Sequence, residues 1–332
     1  MAKPLFGIGF QTDKTPARYA ELAQLVDRYA FDVVSAYNDL MYQPAIAPLM
    51  LMAPHLRRAR IGPAVTNPFI NHPVEIAGQV AVLDAATAGR AYVGLGRGAW
   101  LDAIDREPKR PLRALREAIL LVKQLLRGDA AGFEGQAFRL VAGAAFRFPI
   151  LRPDVPIMVG TWGVETARMA GELADEVKVG GSANPAMVAH LRPHVDAGSA
   201  GAGRPPGAVG ICLGGVTVVG RDRRAARALA RRQIAPYVAV IGALDPSIEE
   251  RGWLDDVAEA NRRGDAEAIA RAIPDEMLER FAFAGDPDDL VRQAEAAFAG
   301  GATRVEFGTP HGEAEAEAIT LLGERVLPYF TA

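Results

Sequence analysis

Residues 60–68 read Arg-Ile-Gly-Pro-Ala-Val-Thr-Asn-Pro. A short apolar run that ends at a turn containing proline is typical of a buried β-strand. Asn67 precedes Pro68, and a residue before proline is driven out of the helical region of backbone conformation. We therefore predict a strand over 60–66 whose carboxyl end presents Thr66 and Asn67. An ordinary turn without a function is the alternative.

Runs of the same kind recur on both sides of this strand and alternate with longer amphipathic segments. The predicted strands cover 5–11, 32–37, 60–66, 91–96, 156–160, 176–180, 209–219 and 303–308. The predicted helices cover 16–29, 44–57, 73–88, 111–127, 164–174, 185–198, 287–299 and 314–327. Eight βα units in one order predict a closed (β/α)8 barrel, the TIM-barrel class of α/β fold. An open doubly wound sheet is disfavoured, because residues 11–16 do not form a phosphate loop after the first strand.

Three segments depart from the simple alternation. Residues 129–150 lack a helical period and predict an excursion with a small hairpin, and the Gly- and Pro-rich stretch 199–207 predicts an exposed turn. The seventh and eighth strands are separated by a helical stretch too long for a plain crossover. We predict a helical insertion over about 222–282, within a single domain that spans residues 1–332.

Composition and charge exclude several classes of partner. The formal net charge is -3 and the pI is about 6.0, so bulk charge does not select for nucleic acid or an anionic membrane. The single cysteine, Cys212, lies in an apolar run and predicts a buried structural residue. The chain begins with a strand-like segment and without a long apolar stretch. We predict a cytoplasmic protein that acts on a small molecule.

Glycine-rich segments follow three further predicted strands, at 94–98, 160–163 and 180–183. The active site of a TIM barrel lies at the carboxyl ends of its strands. Backbone N–H groups of such loops bind phosphate oxygens when they precede a helix. The two adjacent loops after the fifth and sixth strands therefore favour a cofactor that carries phosphate.

The sequence lacks the residue patterns of metal and hydrolase sites. His190 and His194 are spaced for one helix face, but no third ligand accompanies them, so no metal is predicted. No Gly-x-Ser-x-Gly segment or Ser-His-Asp order is present. A barrel mouth with few nucleophiles indicates that a bound cofactor carries the difficult chemical step.

The chain resembles the bacterial luciferase-like barrels, and within them the branch of methylenetetrahydromethanopterin reductases that use the deazaflavin coenzyme F420. The resemblance is carried in order by residues 61–73, 83–98, 156–182, 282–287, 308–310 and 326–330. It implies a non-prolyl cis peptide at Ala64–Val65, against which the deazaflavin ring leans, and a homo-oligomer, either dimer or tetramer. It implies a cofactor site formed by Ala64, Val65, Thr66, Asn67, Gly94, Leu95, Gly96, Arg97, Gly160, Thr161, Trp162, Gly163, Gly180, Gly181 and Ser182.

Two departures from the resembled family bear on the substrate. The reductases have a glutamate at the end of the first strand that serves the pterin iminium, and this chain has Gly9. They have an aspartate–histidine pair after the second strand, and this chain has Asn38 and Asp39. We therefore expect hydride transfer with an imine, enone or carbonyl compound rather than a methylene-pterin. The candidate catalytic residues are Asn38, Asp39 and Glu306.

Other cofactors and roles stay open at this point. The same barrel serves FMN with oxygen in monooxygenases, and a nicotinamide without flavin in some folate-reducing relatives. A barrel that binds flavin or deazaflavin without catalysis is a further alternative. The basic stretch after the fourth strand, with Arg97, Arg106, Lys109 and Arg110, is a candidate for contact with the glutamyl tail of F420. A solvated loop is the competing interpretation of that stretch.

Overall fold

The computed structural model describes residues 3–331, and the terminal residues 1, 2 and 332 of the predicted single domain lie outside that range. Eight parallel strands, named β1 to β8 here, surround a common axis. They are β1 Leu5–Phe10, β2 Val33–Ala36, β3 Arg60–Pro63, β4 Val93–Gly96, β5 Ile157–Gly160, β6 Glu176–Gly180, β7 Gly210–Val219 and β8 Arg304–His311. The sheet runs from β3 through β2, β1, β8, β7, β6 and β5 to β4. Single bridges, Ile61 to Ala91 and Thr66 to Leu95, join β3 to β4 and close the barrel. The predicted (β/α)8 fold is confirmed.

Helices cover the outside of the barrel. They are α1 Pro16–Asp27, α2 Ile46–Met52, α3 Pro73–Ala86, α4 Pro111–Leu126, α5 Val164–Leu173, α6 Pro185–Gly201, α7 Arg223–Ile241, α8 Gly252–Arg262, α9 Ala266–Ala272, α10 Asp275–Phe281, α11 Pro287–Ala299 and α12 Glu315–Leu321. Five of these helices begin with proline, whose fixed backbone angle suits the first helical position and whose missing N–H is not needed there.

Side-chain alternation along β1 separates the two layers of the barrel. Phe6, Ile8 and Phe10 are buried against the helices, where the Phe6 ring contacts the rings of Phe298, Phe307 and Phe330. Gly7 and Gly9 face the barrel interior instead, because successive residues of a strand point to opposite sides. The apolar core therefore lies between the sheet and the helices. Because Gly7 and Gly9 have no side chains, side chains from other parts of the chain fill the barrel interior beside them.

The predicted hairpin is present, with Phe133–Glu134 antiparallel to Arg139–Leu140. Between β7 and α11 the chain forms the helices α7 to α10 and then a further strand. Residues Ala282–Gly285 pair in parallel with residues 216–219 of β7. A four-residue apolar run carries too little periodicity to be separated from the helices beside it.

Several predicted boundaries are wrong. The strand predicted over 60–66 ends at Pro63, the helix predicted over 44–57 is the shorter α2, and the strand predicted to end at 308 continues to His311. Helix α6 runs on to Gly201, so the predicted turn over 199–207 begins later than expected. The final helix, predicted over 314–327, is α12 followed by a π-helical turn at Leu322–Val326 and a 3₁₀ turn at Leu327–Phe330. Helix ends fray and are often wound as 3₁₀ turns, so the terminal residues are the least predictable part of a helix.

Candidate active site

The end of β3 carries the predicted cis peptide between Ala64 and Val65. The Val65 side chain lies in a space that glycines leave open. A Cβ atom on Gly96 would lie 2.7 Å from Val65 Cγ2, and one on Gly160 would lie 3.0 Å from Val65 Cγ1. A Cβ atom on Gly94 would lie 3.1 Å from Val65 Cγ1. These glycines of the predicted cofactor set therefore make room for the kinked strand.

The polar side chains that follow β3 are engaged in local structure. The Thr66 N–H donates to the Gly94 carbonyl at 2.9 Å, and the Thr66 carbonyl accepts from the Gly96 N–H at 3.0 Å. Asn67 is buried, and its Oδ1 accepts the N–H groups of Phe69 and Ile70 at 3.1 and 3.0 Å. The Asn67 amide thus holds the turn after β3 in place.

Asn38, a predicted catalytic residue, also has a structural partner. Its Oδ1 accepts the Ala45 N–H at 2.9 Å, and its Nδ2 lies 3.5 Å from Thr66 Oγ1. These contacts join the loop after β2 to the end of β3. Both polar atoms of the Asn38 side chain are therefore occupied by neighbouring protein groups.

The two glycine-rich loops after β5 and β6 are joined to each other. The Trp162 indole N–H donates to the Gly180 carbonyl at 2.9 Å, and the Gly163 N–H donates to Thr161 Oγ1 at 2.9 Å. A Cβ atom on Gly180 would meet nothing within 4 Å, so this glycine faces open space. Gly181 has a φ of +75°, which favours glycine.

Three residues of the predicted cofactor set direct their side chains elsewhere. Ser182 is buried, and its hydroxyl accepts the Asn184 N–H at 3.2 Å where α6 begins. The Leu95 side chain belongs to the apolar core between sheet and helices. Arg97 is exposed and pairs with Glu107 at 2.8 Å. At positions 95 and 182, only the backbone atoms are therefore available to contact a ligand.

Asp39 is the predicted catalytic carboxylate that reaches the mouth. It is partly exposed, and Gln11 Nε2 donates to Asp39 Oδ2 at 2.8 Å. Burial raises the pKa of Asp39, because the surroundings solvate its carboxylate less well than water does. The helical insertion reaches the same place: burial and the Asp39 charge raise the pKa of Tyr237, on α7, to about 12.

Glu306, the other predicted carboxylate, lies inside the barrel below the mouth and is 0% exposed. It forms an ion pair with Lys178, accepts from Arg304 Nη1 at 2.8 Å, and accepts from Ser35 Oγ at 2.6 Å. Burial alone would raise its pKa, but Lys178 and Arg304 hold the pKa of Glu306 at about 2. Glu306 is therefore an anion at neutral pH.

The sequence did not lead us to predict three residues of the candidate site: Lys178, Arg304 and Tyr37. Strands β6 and β8 read Glu-Val-Lys-Val-Gly and Arg-Val-Glu-Phe, with a charged residue at every second position. Residues two apart on a strand share one face. This spacing places the charges together on the inner face and was the signal that could have found Lys178 and Arg304. Nothing comparable marked Tyr37.

The sequence profile of a family described as "Luciferase-like monooxygenase" matches residues 5–304. The chain belongs to the luciferase-like family. This luciferase-like chain is 29% identical to the 5,10-methylenetetrahydromethanopterin reductase of Methanopyrus kandleri, over 99% of each chain. It is 27% identical to the F420-dependent glucose-6-phosphate dehydrogenase of Nakamurella multipartita, over 96% of this chain and 93% of the relative. The luciferase-like chain is thus an oxidoreductase.

Solved structures agree with this placement. The coenzyme F420 dependent tetrahydromethanopterin reductase from Methanopyrus kandleri superposes on the luciferase-like chain with a TM-score of 0.89 at 26% identity, covering 99% of this chain and 100% of the reductase. The monooxygenase RslO1 from Streptomyces bottropensis has a TM-score of 0.72 at 21% identity, covering 98% and 99%. The second likeness concerns the fold alone.

Among the helices of residues 3–331 of the luciferase-like chain, none combines the length and the hydropathy that a membrane span requires. In the same range, no three His, Cys, Asp or Glu residues are grouped so that they could hold a metal ion.

Proposed function

We propose that this chain is an F420-dependent oxidoreductase that passes a hydride between reduced deazaflavin and an unsaturated small molecule. The observation that carries the proposal is the full-length likeness to a reductase described as coenzyme F420 dependent, at a TM-score of 0.89 and 26% identity. Imines, enones and carbonyl compounds are the substrate class, because each has a polarised double bond that accepts a hydride at carbon.

The residues at the mouth fit a planar cofactor that carries phosphate. The kinked end of β3 presents Val65 beside the mouth, and the open space at Gly180 lies between two loops rich in backbone N–H groups. When bound, the deazaflavin supplies a two-electron hydride. The chain contributes orientation of the ring, exclusion of water and a place for the proton.

We assign the proton transfer to Asp39 rather than to Glu306. The Asp39 carboxyl is partly exposed at the mouth, Gln11 orients it, and burial raises its pKa toward the range useful for acid–base catalysis. Glu306 is fully enclosed and is held ionised by two cations. Its role in this proposal is to fix Lys178.

A methylene-pterin is disfavoured as substrate by the space at position 9. A Cβ atom on Gly9 would collide with the Tyr37 hydroxyl and would lie 2.9 Å from Glu306 Oε1. No carboxylate side chain fits at position 9 while Tyr37 keeps its place. This supports a substrate other than the pterin of the resembled reductases.

Titration of the purified protein with F420, FMN and a nicotinamide, followed by fluorescence, tests the cofactor. We expect saturable binding of F420, and consumption of reduced F420 when an imine or enone is added. Tight FMN binding with oxygen consumption would contradict the proposal in favour of a monooxygenase. F420 binding without turnover across a panel of imines, enones and ketones would favour a non-catalytic barrel.

A further inference from the structure

Tyr37 lies at the centre of the floor of the mouth. The proton and hydride transfers proposed for this chain give it no role. It is the first residue after β2, and its side chain extends over β1 toward β8. Its hydroxyl fills the space that side chains on Gly9 and Gly308 would need, and a Cβ atom on Gly308 would lie 2.6 Å from it. These two glycines face each other across the β1–β8 register. The pair forms a notch that seats the phenol.

The surroundings hold the Tyr37 ring but leave its hydroxyl free. Lys178 Nζ lies 4.8 Å from the ring centroid, a cation–π contact, and Glu306 fixes Lys178 from below. Tyr37 packs against the small apolar cluster that includes Ala64, beside Val65 at the kinked strand. Tyr37 is partly exposed, and within residues 3–331 no group hydrogen-bonds its hydroxyl.

The chemical state of this phenol is fixed. Burial and the charges of Glu306 and Asp39 raise the pKa of Tyr37 well above its usual value. The hydroxyl therefore keeps its proton at every working pH and acts as a hydrogen-bond donor. An unpaired donor that faces a site favours a ligand atom with a lone pair.

We infer that Tyr37 is a catalytic residue whose hydroxyl donates a hydrogen bond to the carbonyl oxygen or imine nitrogen of the substrate, beside the carbon that receives the hydride. This inference rests on the proposed function and adds the group that polarises the substrate. Preorganised donors aimed at developing negative charge are a large source of catalysis. Asp39 lies two residues farther along the same segment, and its charge helps to raise the pKa of Tyr37.

The step transfers one hydride and one proton to the substrate. The substrate carbon accepts a hydride, with two electrons, from the reduced deazaflavin, which becomes oxidised. The electron pair of the C=O or C=N π bond moves to the heteroatom, where the Tyr37 hydroxyl stabilises it. One proton then reaches the heteroatom from solvent by way of Asp39. The phenol keeps its own proton throughout.

The test is Tyr37→Phe, which retains the ring and its contact with Lys178 and removes only the hydroxyl. The assay uses F420 affinity by fluorescence and the reduction of cyclohexanone and 1-pyrroline by reduced F420. We expect kcat to fall by about 10²-fold, the cost of losing one such donor, with unchanged F420 affinity. The isotope effect with deuterated reduced F420 should rise, because hydride transfer becomes slower than the other steps.

The matched control is Tyr329→Phe, which removes an exposed tyrosine hydroxyl that donates to Glu295 on the outer surface. Its kcat should equal that of the wild type. Wild-type kcat and isotope effect in Tyr37→Phe, with intact F420 binding, would overturn the inference alone. A wild-type protein that binds F420 but reduces neither probe would overturn the carbonyl or imine assignment. Absence of F420 binding by the wild type would overturn the proposed function and this inference with it.

Discussion

At the scale of single residues, the unusual feature of this barrel is the charge in its interior. Arg304 is 0% exposed and bridges Glu176 and Glu306, while Lys178 completes the row from the other side. Buried charges are costly unless each one is paired and hydrogen-bonded. Here two anions meet two cations, and the Glu306 carboxylate has three donors. The four charged side chains therefore pair with one another, and the loss of any one of them leaves a buried charge without its partner.

Glu306→Gln should destabilise the protein by about 3–5 kcal/mol at pH 7, because it leaves Lys178 buried without its counterion. The pKa of Glu306 is about 2 in the folded protein, against about 4.3 in an unfolded chain. Its stabilisation is therefore complete above about pH 4.3 and is lost as the pH falls toward 2. Denaturant unfolding at pH 7 and pH 3 measures both effects.

The control is Glu134→Gln, since Glu134 forms an exposed ion pair with Arg139 on the hairpin. Its effect should stay below about 1 kcal/mol. Adding Lys178→Met to Glu306→Gln should recover part of the lost stability, because no cation is then left unpaired at that position. Equal effects of Glu306→Gln and Glu134→Gln would contradict the account of the interior.

Asp39→Asn should lower kcat by about 10²- to 10⁴-fold while it raises stability at neutral pH. Because burial raises the pKa of Asp39, the folded protein disfavours its carboxylate. The contribution of Asp39 to the stability of the wild type is thus most favourable below the unfolded pKa of about 3.9 and declines as the pH rises through the folded pKa. The amide avoids that decline. Thermal unfolding should show Asp39→Asn to be more stable than the wild type at pH 7 but not at pH 3.5. An equal gain in stability at both pH values would contradict this explanation.

At the scale of elements, β3 and β4 are fitted to each other through Val65 and the glycines around it. Gly96→Ala places a Cβ atom 2.7 Å from Val65 Cγ2. We expect a loss of about 1–3 kcal/mol from overpacking, together with weaker F420 binding as Val65 moves toward the mouth. Val65→Ala in the same chain removes the clashing methyl groups and should restore part of the stability and part of the F420 affinity. Strictly additive losses in the double variant would show that the two residues do not interact.

The loop between β4 and α4 carries exposed positive charge beside the barrel mouth. Arg97 pairs with Glu107, and Arg110 donates to Gln136 at 3.1 Å, while Arg106 and Lys109 are exposed. Arg106→Ala with Lys109→Ala should weaken the binding of long-tailed F420 by up to about tenfold. The loss should shrink with a short glutamyl tail and at high salt.

The control for the tail is Arg262→Ala with Arg263→Ala, which removes the same charge from α8, where both arginines pair with Glu259. Its coenzyme affinity should match the wild type for every tail length. An equal loss of F420 affinity in both double variants would indicate a general effect of net charge. Unchanged affinity in both would indicate that the loop is solvated and does not contact the tail.

At the scale of the whole molecule, the barrel should respond to its cofactor as one cooperative unit. A ligand that binds only the folded state at a hundred times its Kd adds about 2.7 kcal/mol to stability. Saturating F420 should therefore raise the Tm by several degrees, and FMN at the same concentration should raise it less. Differential scanning fluorimetry compares the two, and a larger shift with FMN would contradict the cofactor proposed here.

The fold and much of the site's location were predictable from local sequence. Each βα unit carries its own signal, such as the apolar run of β5 or the prolines that begin α3 and α11, so the order of elements needed no long-range information. The carboxyl ends of the strands then indicated where the mouth lies. The strand at Ala282–Gly285 escaped prediction because its partner, β7, alone makes it a strand.

The amino-acid sequence by itself determined the barrel and the family resemblance at the third strand. Only the tertiary structure decided which polar groups meet. Glu306 finds Lys178 and Ser35 across 128 and 271 residues of chain, and the Tyr37 hydroxyl enters a notch made by strands β1 and β8. The physical reason is closure of the barrel: local propensity fixes each strand, but contacts across the interior exist only once the ring of strands is complete.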